Sequence, residues 1–301
     1  MSHTSELSFD AAYSRGWSGK TGRAAISAFR DNTVAGYSAH YYKVDPTRAS
    51  SSGWGSNLGP ITERSVSFLR TAILKYQMRS MIDVPCGDVN WQFGAFEIDA
   101  LAAYVGLDIS SRLVRLNGGR FAFHSNKVFA PWDMAACAMP RVAFRDGTAA
   151  VPVELIHMRY VLQHMALDRA LAAVVHVVES GAKFFIATTY PNQGRHNTNT
   201  QIGKGSESHF YLNNLLLPPF SLPPPVACVQ SPLNLGNDST CLFDLRDRSE
   251  MARWLERARR TRIVGTRKTT RIIVQGEPEP VYWVKYEKWF ARNVKNPEEW
   301  L

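Results

Sequence analysis

The chain has 301 residues, 45% of them hydrophobic, enough for a large core and for one extended α/β domain or a domain with a small appendage. Its formal charge of +9 and pI near 9.5 leave an anionic partner such as nucleic acid open. No run of about 18 apolar residues occurs, and residues 1–10 lack a basic-then-apolar pattern, which argues against a membrane span or secretory signal and predicts a soluble cytoplasmic protein. Cys86, Cys137, Cys228 and Cys241 are scattered without a C-x-x-C pair, so neither a zinc site nor a disulfide framework is expected, and all four are read as reduced thiols.

Residues 1–60 are rich in Ser, Gly and aromatics (Tyr13, Trp17, Tyr37, Tyr41, Tyr42, Trp54) without periodicity, and read as an irregular arm that could act as a lid over a ligand. From residue 61 the pattern becomes helical: Thr62 can cap a helix with Val66, Leu69, Ile73 and Leu74 on its apolar side, ending at Tyr76. Strands are predicted over residues 80–84, 103–107, 127–130, 153–158 and 183–188. Between the last two, residues 167–179 carry a helical stripe of Leu171, Val174, Val175 and Val178. Alternation of this kind builds a mostly parallel, doubly wound sheet.

After Pro191 the regularity lapses into a polar, proline-rich insertion over residues 192–239, a length that in a compact domain is functional or disordered. Residues 240–245 and 272–275 could add late strands to the sheet, and residues 282–290 fit a strand or a helix equally. Arg253, Arg257, Arg259, Arg260, Arg262, Arg267, Lys268 and Arg271 crowd one region. They are read as the solvated side of a helix over residues 249–260 with Met251, Trp254, Leu255 and Ala258 on its apolar side, nucleic-acid binding being the rival reading.

The first predicted strand ends in Asp83 and breaks at Val84-Pro85-Cys86-Gly87-Asp88-Val89-Asn90-Trp91 into a tight turn containing glycine. In open α/β sheets ligands bind beyond the carboxyl ends of the strands, and a glycine there lets the backbone approach the ligand closely. The second strand ends in Asp108, where a carboxylate could accept hydrogen bonds from both hydroxyls of a ribose.

Asp83-Val84-Pro85-Cys86-Gly87-Asp88 with Asn90-Trp91, Val105-Gly106-Leu107-Asp108-Ile109, Arg159 with Val161-Leu162-Gln163-His164, and Ala187-Thr188-Thr189-Tyr190-Pro191 follow one another in an order that resembles the class I S-adenosylmethionine-dependent methyltransferases. The nearest likeness is to a subgroup of bacterial, algal-virus and animal proteins with a D-V-P-C-G-D first motif and a P-F-x-L-P-x-P segment, here residues 219–225. The resemblance covers roughly residues 50–245, with a weaker echo at residues 13–19. It implies a Rossmann-like fold and S-adenosyl-L-methionine as cofactor. Asp83 and the turn Cys86-Gly87-Asp88 would hold its amino acid portion, Asp108 the ribose and Asp133 the adenine amino group, Ile109 and Met134 would sandwich the ring, and Trp91 would also contact the cofactor.

On the acceptor side the resembling motif reads R-D-V-L-x-H, and this chain has Tyr160 where the acid stands. That leaves His164 as the expected general base and Arg159 as a positioning cation, with His196, Glu207 and His209 as further candidates and His157 as a packed core histidine. No tight H-x-E or H-x-x-x-H pattern suggests a metal. The subgroup resembles glycan O-methyltransferase domains, so a carbohydrate or small polar hydroxyl is the expected acceptor. Trp54, Trp91, Trp132, Tyr190, Phe210 and Tyr211 suit stacking on sugar faces as well as a core. The alternatives are an RNA or nucleotide methyltransferase using the basic patch, and a cofactor-binding but inactive module, which Tyr160 motivates.

Overall fold

The computed structural model describes residues 50, 52, 54–142, 151–191, 197, 211–231, 238–264 and 271–276. The predicted arm up to residue 49, the terminal segment 282–290, and His196, Glu207, His209, Phe210, Arg267 and Lys268 lie outside the described residues. The described residues up to Asp133 form one compact unit and those from Met134 form a second.

The first unit opens with helix α1 (Pro60–Tyr76). Proline at the first helical position sacrifices no hydrogen bond and has the right φ. Thr62, expected as the cap, stands inside the first turn instead: its Oγ1 accepts from the Gly59 N–H at 3.1 Å and donates to Asn57 O at 2.9 Å. Phe68, Leu69, Ala72 and Ile73 form the buried face, while Leu74, placed on that face by the sequence pattern, is exposed. The helix stops where Gln77 turns left-handed and its N–H reaches back to Leu74 O.

Strands β1 (Ser80–Asp83), β2 (Ala103–Asp108) and β3 (Lys127–Pro131) run parallel in the order β3-β2-β1. Asp83 lies opposite Gly106 and Asp108 opposite Pro131, so the acid-bearing ends of β1 and β2 fall at the same edge of the sheet. Two helices, α2 (Phe96–Asp99) and α3 (Ser111–Arg120), join these strands. The sequence pattern misses α3: it buries three residues, Leu113, Val114 and Asn117, and contains Gly118 and Gly119, so its apolar stripe is too thin to read.

In the second unit β4 (Leu155–Met158) leads through α4 (Leu167–Glu179) to β5 (Phe184–Thr189), parallel to β4. The bounds of α4 coincide with the predicted helix, although Val175 sits beside the buried stripe rather than within it. Strands β6 (Ala227–Gln230) and β7 (Ser239–Asp244) pair antiparallel, and β7 pairs antiparallel with β5, giving β4-β5-β7-β6.

The supposed insertion therefore supplies a strand, and it supplies core as well. Tyr211, Leu215, Leu216, Leu217, Phe220 and Leu222 are buried, and the Trp254 indole N–H donates to Phe220 O at 2.6 Å. The reduced-thiol expectation fails for two cysteines: Cys228 and Cys241, directly opposite in the β6–β7 register, are joined by a disulfide.

Helix α5 (Arg248–Arg260) starts at an Asp247 cap that accepts from the Ser249 and Glu250 N–H groups, and it buries Met251, Trp254 and Ala258. Strands β8 (Thr261–Val264) and β9 (Arg271–Val274) form a separate antiparallel pair, so the late strand predicted at 272–275 does not extend the main sheet. With seven strands in a mostly parallel main sheet, the fold is the Rossmann-like α/β class expected from the sequence. No helix among the described residues is long and apolar enough to cross a membrane.

Candidate functional site

In the first unit the expected cofactor residues gather beyond the ends of β1 and β2. Gly87 adopts φ +58°, a left-handed conformation that favours glycine, and its N–H donates to Asp108 Oδ2 at 3.0 Å. The other Asp108 oxygen accepts from the Ser110 N–H at 2.9 Å. Asp108, fully buried, is thus fixed between two main-chain donors. From α3, Asn117 Nδ2 donates to Gly87 O at 2.7 Å and holds the turn from its other side.

The neighbouring acids do different work. Asp83 turns inward, where Oδ2 accepts from the Tyr104 phenol at 2.7 Å and from Gln92 Nε2 at 3.0 Å. Asp88 is held by Ser50 Oγ, at 2.8 and 2.9 Å from its two oxygens, and by Ser52 Oγ at 3.0 Å. The Asp88 N–H returns a bond to Ser52 Oγ at 2.7 Å. Cys86 is buried, and burial together with the negative charges of Asp108 and Asp83 pushes its thiol well above the usual range. It is a neutral packing group rather than a nucleophile.

Trp91, Ile109 and Asp133 are buried. The Trp132 N–H donates to Asp108 O at 2.7 Å, which brings the end of β3 beside that of β2. The indole Nε1 of Trp132 is buried and has no hydrogen-bond partner among the described residues. Sequence reasoning missed Ser50, Ser52, Gln92, Tyr104 and Asn117, none of which belongs to a motif.

Met134, Arg159 and His164 belong to the second unit. Met134 is buried, with its carbonyl 2.9 Å from His176 Nδ1. Arg159 and Tyr160 follow the end of β4, and the buried guanidinium lies 4.4 Å from the centre of the Tyr160 ring. Tyr160 has φ +52°, a strained value for a residue with a side chain, and its N–H donates to Thr188 Oγ1 at 3.1 Å. His164 ends a 3-10 turn (Leu162–His164), half-buried, with its Nε2 3.4 Å from Gln163 Nε2. His157 is buried within β4, in the packed position expected of it.

The Tyr160 phenol reaches residues that no motif announced. Its oxygen lies 2.6 Å from Asp238 Oδ2 and 2.8 Å from Ser231 Oγ. Asp238 immediately precedes β7, and its carboxyl is pushed up chiefly by burial, against the lowering effect of the Tyr160 hydrogen bond. Burial and the nearby Asp238 charge also raise the Tyr190 phenol. The one signal that could have found Asp238 is strand pairing, which sets Ser239 opposite Thr189 at the end of β5. Among the described residues, no group of three or more His, Cys, Asp or Glu side chains gathers as metal ligands.

No protein-family model matches the chain, and no curated protein does. Among solved structures it is similar to the N-methyltransferase NodS from Bradyrhizobium japonicum WM9 in complex with S-adenosyl-L-homocysteine, at 14% identity and a TM-score of 0.46 over 68% of this chain and 97% of that one. Magnesium protoporphyrin IX methyltransferase from Synechocystis PCC 6803 with bound SAM gives 13% identity and a TM-score of 0.42 over 61% and 80%. Human N-acetylserotonin methyltransferase in complex with SAM gives 11% and 0.40 over 60% and 51%. At such low identity the functional reading rests on the residues of the site itself.

Proposed function

We propose that this chain is a methyltransferase that uses S-adenosyl-L-methionine to methylate a hydroxyl of a glycan or small polar molecule. The observation that carries the proposal is the pair of parallel strand ends at which the left-handed Gly87 turn donates its N–H to the buried Asp108 carboxylate. The chemistry of the residues at this edge supports the cofactor assignment. A Cβ at Gly87 would come within 2.3 Å of Ser52 Oγ, so this turn close to the strand ends has no room for a side chain. A carboxylate such as that of Asp108 is an acceptor of the kind that ribose hydroxyls need. Asp88 presents a carboxylate to the donors around it, here the Ser50 and Ser52 hydroxyls, and an ammonium would suit it equally. Asp133, Ile109 and Met134 are assigned the adenine, as the resemblance implies.

When bound, the sulfonium supplies an electrophilic methyl group, and the protein's tasks are in-line positioning and removal of the acceptor's proton. Arg159 is assigned to positioning, and the resemblance offers His164 as one candidate for the base. The arginines of α5 favour the structural reading over nucleic acid: Arg259 pairs with Glu179 at 2.9 Å, Arg260 Nη1 donates to Gln275 O at 3.2 Å, and Arg248 donates to Gly181 O.

Calorimetry with S-adenosyl-L-methionine and its demethylated product tests the proposal. Both should bind the wild type, and a folded Asp108→Ala variant should bind both more weakly. Equal affinity in the two proteins would remove the cofactor assignment.

A further inference from the structure

Tyr160 stands where the resembling motif carries an acid, and the fold brings another acid to it. Asp238 is separated from Tyr160 by 78 positions, yet its Oδ2 lies 2.6 Å from the phenol. The residue is 1% exposed, and its second oxygen, Oδ1, is buried with no hydrogen-bond partner among the described residues. A buried carboxylate oxygen without a donor among the described residues is costly, and a ligand that brings a donor would relieve it. The setting is the expected one for a ligand: Tyr160 follows β4, Tyr190 follows β5, and Asp238 precedes the antiparallel β7, which puts all three at the carboxyl end of the parallel strands. Asn213 adds to the pattern. Its Nδ2 donates to Leu162 O at 2.7 Å, its carbonyl accepts from the Tyr190 N–H at 3.1 Å, and its Oδ1 is buried without a partner among the described residues. Two unanswered acceptors at one end of the sheet suit a ligand that brings several O–H donors.

Given methyl transfer to a hydroxyl as the reaction, on which this inference rests, we propose that Asp238 is the general base, binding the acceptor hydroxyl at Oδ1 and taking its proton. As the acceptor O–H bond breaks, the proton passes to Oδ1 and the oxygen forms its bond to the methyl carbon. The carbon–sulfur bond of the sulfonium breaks with its electron pair left on sulfur, so a neutral thioether leaves and charge balances. Tyr160 is a positioning residue: its phenol fixes Oδ2, which turns Oδ1 toward the acceptor, and the need to reach Asp238 accounts for a strained φ at this position. The groups facing Asp238 are Tyr160, Ser231, Arg159 and Tyr190. Burial raises the carboxyl, while Tyr160, Ser231 and Arg159 restrain that rise.

Two measurements test this. The first follows transfer of labelled methyl from S-adenosyl-L-methionine to a panel of free mono- and oligosaccharides and small polyols, with cofactor affinity measured in parallel. Asp238→Asn should bind cofactor as the wild type does and transfer about 100-fold more slowly, the size of loss expected for a general base. The second needs neither cofactor nor acceptor: isotope-edited NMR of the Asp238 carboxyl should show it titrating above the ordinary value of 3.8, and higher still in Tyr160→Phe, where the restraining hydrogen bond is gone. The acidic limb of the rate profile of Tyr160→Phe should move to higher pH in step. Asp238→Asn at the wild-type rate would overturn the assignment. So would cofactor binding without transfer to any hydroxyl in the panel, or a carboxyl at its ordinary value in both proteins. Failure of the wild type to bind cofactor would instead strike the methyltransferase reading itself.

Discussion

Asp108, at the end of β2, spends one oxygen on each of two main-chain N–H groups, whereas Asp238, just before β7, has one oxygen on the Tyr160 phenol and the other without a partner among the described residues. Both carboxylates are buried. Main-chain donors hold their positions as long as the turn is folded, so they keep the Asp108 carboxylate in one place. A half-satisfied carboxylate is high in energy when ionised, and accepting a proton relieves it. In the roles proposed for them, one strand-end region holds and the other reacts, and what separates the two carboxylates is the identity of their donors rather than depth of burial.

The sharpest way to break this contrast is at the Gly87 turn. Gly87→Val would force a branched side chain into φ +58° and onto Ser52 Oγ, so cofactor affinity should fall by about 100-fold or more, the equivalent of roughly 3 kcal/mol. Titration calorimetry alongside thermal unfolding checks it. Unaltered affinity in a cooperatively folding Gly87→Val protein would move the site elsewhere.

Asp108→Ala comes next. Loss of charged hydrogen bonds worth about 1.5–3 kcal/mol predicts an affinity drop of roughly 10- to 150-fold, and the variant should also unfold earlier because the Gly87 and Ser110 N–H groups lose their acceptor. If affinity falls while stability does not, Asp108 touches the ligand but does not organise the turn.

The smallest effect concerns pH. The Asp238 carboxyl is raised in the folded protein, so over a window beginning near its ordinary value of 3.8 the folded state keeps a proton that the unfolded chain has lost. Stability therefore falls as pH rises through that window, and Asp238→Asn should flatten the fall. Denaturant midpoints for the two proteins across mildly acidic pH will show it, and parallel slopes would deny Asp238 its raised value.

Much of the first region was legible in the sequence because its logic is local. Asp83, Gly87 and Asp108 are strand-end and turn residues, and the apolar runs before them fix where the strands stop. Helix α4 was legible for the same reason: seven buried apolar residues repeat at helical spacing. The second region was not, since Tyr160 meets Asp238 through antiparallel pairing of β5 with β7, a contact that no period announces. Proline and polar residues also disguised 211–231 as a loop, although it buries leucines and delivers β6. Ser50 and Ser52 escaped notice because a hydroxyl acting on a distant turn leaves no pattern.

The Cys228–Cys241 disulfide has a bearing on aim. Ser231 and Asp238, the two partners of the Tyr160 phenol, stand at the connecting end of the β6–β7 hairpin, where the Ser231 N–H donates to Asp238 O at 3.1 Å. A strand that slips by one residue turns every side chain to the opposite face. Cys241 is three positions from Asp238, and its covalent bond to the facing strand forbids that slip. The disulfide thus works as an alignment pin, keeping the carboxylate pointed at the phenol through any loosening of the hydrogen bonds around it.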